Sequence, residues 1–166
     1  SHQFANLGFG RGVISGAAFS PAGIGDALGT CELAHGPGGT HDLIGSFLTG
    51  SPGHDTRGFD PGANSFSGWP SFDTRTHQQM YHEWVRRAFE GGQRLMVMHA
   101  ISTKVVCDLN RSPFDCEDMA SIETQLLEAR RLEEYIDAQS GGPGRGWYRI
   151  AYSGNGRISK VMVSAD

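Results

Sequence analysis

Hydrophobic residues recur at helical spacing twice in this chain, both times in its second half. Between about Arg75 and Glu90, His77, Tyr81, Trp84, Val85 and Ala88 share one face. Asp73 or Thr74 can cap that helix, and Gly91-Gly92 ends it. Between about Cys116 and Gln139, the residues Met119, Ile122, Leu126, Ala129, Leu132 and Ile136 make a stripe for burial. Glu123, Glu128, Arg130, Arg131, Glu133 and Glu134 fall mostly on the wet side. Asp115 is placed to cap this second helix, and Asp118 suits its positive end. Gly141-Gly142-Pro143-Gly144 stops it. Between the helices, Arg94–Ile101 (RLMVMHAI) is apolar almost throughout, which predicts a buried strand of a parallel sheet. Trp147–Tyr152 and Arg157–Ala165 predict two more strands, with Asp166 at the end of the last.

The first half shows no such regularity. Residues 3–19 are apolar but broken by glycine, which predicts a strand end, a turn and a short strand over Val13–Phe19. Residues 20–72 carry Pro-Ala-Gly, Gly-Pro-Gly-Gly, Ser-Pro-Gly and Asp-Pro-Gly, all turn signals. Within them Asp42–Leu48 suits one or two helical turns, capped by Thr40. The organisation expected is a Gly-rich loop region over 1–72 followed by helix–strand–helix–strand over 73–166. These form a single domain or the N-terminal portion of a barrel. Such alternation argues for an α/β fold with parallel neighbouring strands. Strand C-ends would then gather His2, His99 and Asp166 at one edge, where such folds place their sites.

Composition narrows the function. The 166 residues suit about one domain, and the net charge of −4 with no Lys/Arg excess predicts no nucleic-acid footprint. No apolar run approaches the roughly 20 residues of a membrane span. The 24 glycines concentrate in the first 70 residues and at 141–146. A long loop in a small domain is functional or disordered. Cys31, Cys107 and Cys116 match no zinc spacing, there being no CxxC. Cys107 and Cys116 flank one loop, so a disulfide in an exported protein and two reduced thiols are both open. A secreted or periplasmic setting is favoured over a cytoplasmic one.

The candidate chemistry is mostly imidazole. His2 is the first candidate metal ligand. His35 and His41 bracket HGPGGTHDL, where glycines let backbone approach a ligand and two histidines can bind substrate. The alternative is a solvent-exposed loop. His54, in SPGHDTRG, reads as a surface residue. His77 and His82 are five apart, do not share a helix face, and read as structural. His99 is a catalytic candidate if it points into a barrel mouth, and otherwise a core histidine. Asp166 is the carboxylate complement, as metal ligand or catalytic group. No GxSxG, P-loop or HExxH is present.

Several segments together, HQFANLGFG, HGPGGTHDLIGSFL, Gly68-Trp69-Pro70, THQQMYHEWVRRAFEGGQRLMVM and YIDAQSGGPGRGWYRI, resemble a bacterial family of metallo-dependent hydrolases. These are amidohydrolase-like TIM barrels, distantly similar to membrane dipeptidases. The resemblance covers roughly residues 2–150 and the family's N-terminal third. It implies a (β/α)8 fold and a first strand ending in His-x-His, with His2 as the second histidine of that pair. It also implies a bridging carboxylate near Asp166. The implied activity is hydrolysis of a small-molecule or peptide-like substrate by water activated on a divalent metal, zinc foremost. Since the chain would supply about three of eight strands, a second chain completing the barrel in a hetero-oligomer is a further expectation. The alternative is a non-catalytic binding or assembly subunit that uses the Gly-rich loops as its surface.

Overall fold

A computed structural model describes residues 1–9, 12–71, 74–109, 115–152 and 158–162. In chain order the first half holds short helices: α1 (Ala5–Gly8), α2 (Ile24–Leu28), α3 (Glu32–His35) and α4 (Leu43–Thr49). A two-residue pair of strands follows, β1 (Phe59–Asp60) and β2 (Ser65–Phe66). The second half contains α5 (His82–Glu90), β3 (Leu95–Met96), α6 (Lys104–Leu109), α7 (Asp118–Gln139), β4 (Arg149–Tyr152) and β5 (Ile158–Met162).

The parallel α/β architecture and the (β/α)8 barrel are not what forms. β1 pairs antiparallel with β2, and the second sheet, in the order β3-β5-β4, is antiparallel at both seams. The reason lies in the connection. Only residues 153–157 join β4 to β5, far fewer than the dozen or more a parallel crossover needs, so the two close as a hairpin. The apolar run at 94–101 contributes only β3, on the sheet's edge. Leu95 and Val97 there are 49% and 48% exposed, so the run is not the buried central strand expected.

The 22-residue α7 is the frame of the larger core. Ala129, Leu132 and Ile136 meet Phe4, Leu7, Ala18, Val85, Met96 and Tyr148. Toward its N-terminus the inward stripe turns polar. Ser121 and Gln125 are buried, whereas Met119 is 74% exposed. Gln125 accepts from the Ile101 amide at 3.1 Å and donates to the Ile101 carbonyl at 2.6 Å, completing backbone bonds that a strand neighbour would otherwise satisfy. Asp115 accepts from the Glu117 amide at 2.9 Å just before the helix, and Glu117 holds the cap position. Of the two cysteine alternatives, the disulfide Cys107–Cys116 is formed, tying α6 to the approach of α7.

The first predicted helix is shorter than its pattern. It begins at His82, and residues 74–81 ahead of it contain no helix. Backbone pairing with Ser15 wins there: the Ser15 amide donates to Thr76 at 2.8 Å and the Gln78 amide to Ser15 at 2.7 Å. Val13–Phe19 accordingly forms a single parallel bridge rather than a strand. A smaller apolar cluster of Ala27, Leu28, Cys31, Trp69 and Tyr81 lies under the short helices. Among the described residues, no helix is long and apolar enough to cross a membrane.

Candidate metal centre

Four side chains from three distant segments converge beside that smaller cluster. The donor atoms of Cys31, His35, His54 and His77 all lie within 4.8 Å of one another. Each is delivered by a separate backbone device. Cys31 caps α3, and the His35 amide donates to the Cys31 carbonyl at 2.8 Å. The two residues are therefore one helical turn apart and on one side. His54 arrives on a segment paired antiparallel to 29–31, held by the Cys31 amide on Thr56 (3.1 Å) and the Gly58 amide on Gly29 (3.1 Å). Gly39, at φ +71°, passes so close to the His54 ring that a Cβ there would collide with it. His77 is set by the Ser15 bridge.

Two of the donor distances match the edges of a tetrahedral site. Cys31 Sγ is 3.3 Å from His54 Nε2, and His35 Nδ1 is 3.3 Å from the same nitrogen. Edges of about 3.3–3.6 Å follow from Zn–N bonds of about 2.0–2.1 Å and a Zn–S bond of about 2.3 Å. Outer partners orient the rings. His35 Nε2 lies 2.9 Å from the Val13 carbonyl; as a donor to it, it leaves Nδ1 as the free lone pair. His54 Nδ1 faces Asp42 Oδ2 at 3.7 Å, a carboxylate behind an imidazole. His77 packs edge-on to His35 and His54 and against Trp69; among the described residues neither of its buried ring nitrogens makes a well-formed hydrogen bond, although the Thr74 backbone acts on the ring.

Electrostatics agree with the geometry. Burial lowers the pKa of His35 and brings that of His77 down to about 3, so both rings are neutral ligands at pH 7. Burial likewise pushes the Cys31 thiol up to about 11. Asp42 is 3% exposed, and its only ion-pair neighbours among the described residues are His35 and His54. A buried carboxylate without a cation is costly. One thiolate plus one carboxylate is the charge a divalent cation neutralises.

The same distances also trace a nucleophile–base–carboxylate order, Cys31 to His54 to Asp42. Two facts count against covalent catalysis. The Cys31 residue is wholly buried, and its thiol is held protonated rather than activated.

The residues singled out from sequence divide. His35 is in the centre. His41 is exposed outside it, its ring against Gly36. His2 and His99 do come together, with ring centroids 5.5 Å apart, but both are exposed, so His99 is no core histidine. The Ser1 ammonium donates to Val97 at 2.9 Å and the His99 amide to Ser1 at 2.8 Å. Asp166 lies outside the described residues. His54 is not a free surface residue: it lines this centre, as does His77, which the sequence reads as structural. Cys31 needs no CxxC, because its partners come from tertiary contact. The one local signal is the Cys-x3-His spacing of Cys31 and His35. No protein-family model, curated protein or solved structure matches the chain.

Proposed function

We propose that this chain is a metal-binding domain whose Cys31, His35, His54 and His77 hold one divalent ion of the zinc type as a structural staple. The carrying observation is His77, a buried imidazole with neither nitrogen in a well-formed hydrogen bond among the described residues, amid three further donor atoms. Four protein ligands, three of them buried, form a closed set, whereas a catalytic zinc keeps a position open for water. One thiolate with three imidazoles favours zinc, cobalt or copper over magnesium or calcium. The ion would tie together residues 31–35, 54 and 77, three segments far apart in sequence.

The test is metal analysis of the purified chain after zinc loading and gel filtration. One equivalent of zinc is expected. Cobalt substitution should give a thiolate-to-cobalt charge-transfer band that Cys31→Ser removes. Absence of bound metal, or an unchanged band in Cys31→Ser, overturns the reading.

A second reading, metal-dependent hydrolysis at His2, is favoured by the approach of His99 to within 5.5 Å between ring centroids. The two exposed imidazoles would bind a second ion that activates water on a peptide-like substrate. Hydrolysis that His2→Ala abolishes, while zinc at Cys31 stays bound, supports it. Unchanged hydrolysis in His2→Ala removes it.

A further inference from the structure

We infer that occupancy of the Cys31 centre decides whether α4 is folded, with Asp42 as the positioning residue that joins them. The inference rests on the metal-binding reading and adds a regulated element to it.

α4 has little reason to exist alone. It has seven residues, none of them buried. Leu43 and Phe47 are 72% and 86% exposed. Isolated helices shorter than about 12 residues are marginal in water, and here no apolar face is packed to make up the difference. Three polar ties matter most, beside the weaker Thr49–Ser51 bonds at its C-terminal end. The Gly53 amide donates to Ser46 Oγ at 3.2 Å, and Thr49 Oγ1 donates to the Gly45 carbonyl at 2.9 Å; both bonds lie near the surface. The third reaches inward. Asp42 Oδ1 accepts from the Gly45 amide at 2.8 Å, capping the helix.

The other oxygen of Asp42 belongs to the metal centre. Oδ2 accepts from Thr76 Oγ1 at 2.6 Å, beside His77 in sequence. It also lies 3.8 Å from His35 Nδ1 and 3.7 Å from His54 Nδ1. Carboxylates behind metal-bound imidazoles orient the ring and are held in turn by the ion's charge. With a dication bound, the buried Asp42 has its countercharge and stays inside. Without one, the buried carboxylate rests on the Thr76 hydroxyl and the Gly45 amide, with no cation beside it among the described residues, and turning toward water relieves it. The turn removes the α4 cap. The helix then frays, and the display of Leu43 and Phe47 on it is lost. Gly45 is part of the device, because a Cβ there would collide with the Asp42 carboxylate.

Hydrogen exchange on the full chain, with zinc and after chelation, tests this. Zinc should slow exchange at the Gly45–Thr49 amides about five- to tenfold, with the α7 amides at Ala129–Ile136 as an unchanging control. Asp42→Asn keeps all four ligands and should still take up one zinc, about 10- to 100-fold more weakly. Asn caps a helix as well as Asp and carries no charge to drive it out, so the variant's α4 amides should stay protected alike in both states. Gly45→Ala separates coupling from helix propensity. Propensity alone predicts slower exchange in α4, whereas displacement of Asp42 predicts faster exchange that no longer responds to zinc. It also serves if Asp42→Asn loses α7 protection and so fails to fold. Zinc binding with no change at Gly45–Thr49, or a zinc response kept in either variant, overturns this inference alone. Failure of the unaltered chain to bind zinc overturns the metal reading and this inference together.

Discussion

Around α7 the chain is held by apolar contact. Ala129, Leu132 and Ile136, each at most 1% exposed, pack on side chains gathered from residues 4 to 148. Around Cys31 it is held differently. The apolar cluster there is small, and three of its neighbours in space are imidazoles. The first region spends a long amphipathic helix to exclude water. The second has loops too rich in glycine to bury much area, and brings polar donors into one point instead. The difference teaches that the two regions are held by different means: one by the volume of its side chains, the other by polar donors gathered at one point.

The largest expected effect tests the first half of that contrast. Leu132→Ala should cost about 3 kcal/mol, through lost burial and the cavity left behind. Urea unfolding should show the same loss in zinc-loaded and metal-free protein. A loss that appears only without zinc would mean the two regions share one core.

Proton dependence comes next. In metal-free protein His77 is held neutral down to about pH 3, while the unfolded chain takes up that proton near pH 6.5. A lowered folded pKa means stability that is present above about 6.5 and lost as pH falls toward 3. Between pH 7 and pH 5 the loss assigned to His77 is about 2 kcal/mol. His82, beside the α7 core, is lowered by burial in the same direction. His82→Gln should therefore reduce the slope, and His77→Gln should reduce it more. Equal stability at pH 5 and pH 7 in metal-free protein would show that the buried imidazoles do not govern the second region.

The smallest effect sharpens the contrast from the surface. Phe47→Ser removes the ring of an 86% exposed side chain, so the unfolding midpoint should move by less than about 0.5 kcal/mol. A larger drop would show α4 packed against something that its exposure does not reveal.

Much of the α7 region was legible in the residues. Ala129, Leu132 and Ile136 recur at helical spacing, and Gly141-Gly142 closes the pattern. The short turn at α4 was legible too, although its cap is Asp42 rather than Thr40. The strand partners were not. Apolar runs at 94–101 and 157–165 look alike whether they pair parallel or antiparallel, and a short connection, of five residues, dictates direction only between β4 and β5. The candidate metal centre was visible only as the four-residue step from Cys31 to His35. His54 stands 19 residues beyond His35, and His77 a further 23. His77 even carried a helical pattern that the Ser15 bridge overrode.

What the chain's own order determined is therefore local: helix periods, glycine stops, and a stock of histidines. Neighbouring residues suffice for these, since they depend on side-chain spacing within a turn or two. Tertiary structure alone decided sheet direction and which imidazoles meet. Both depend on backbone hydrogen bonds between segments far apart in sequence, and no local spacing encodes those.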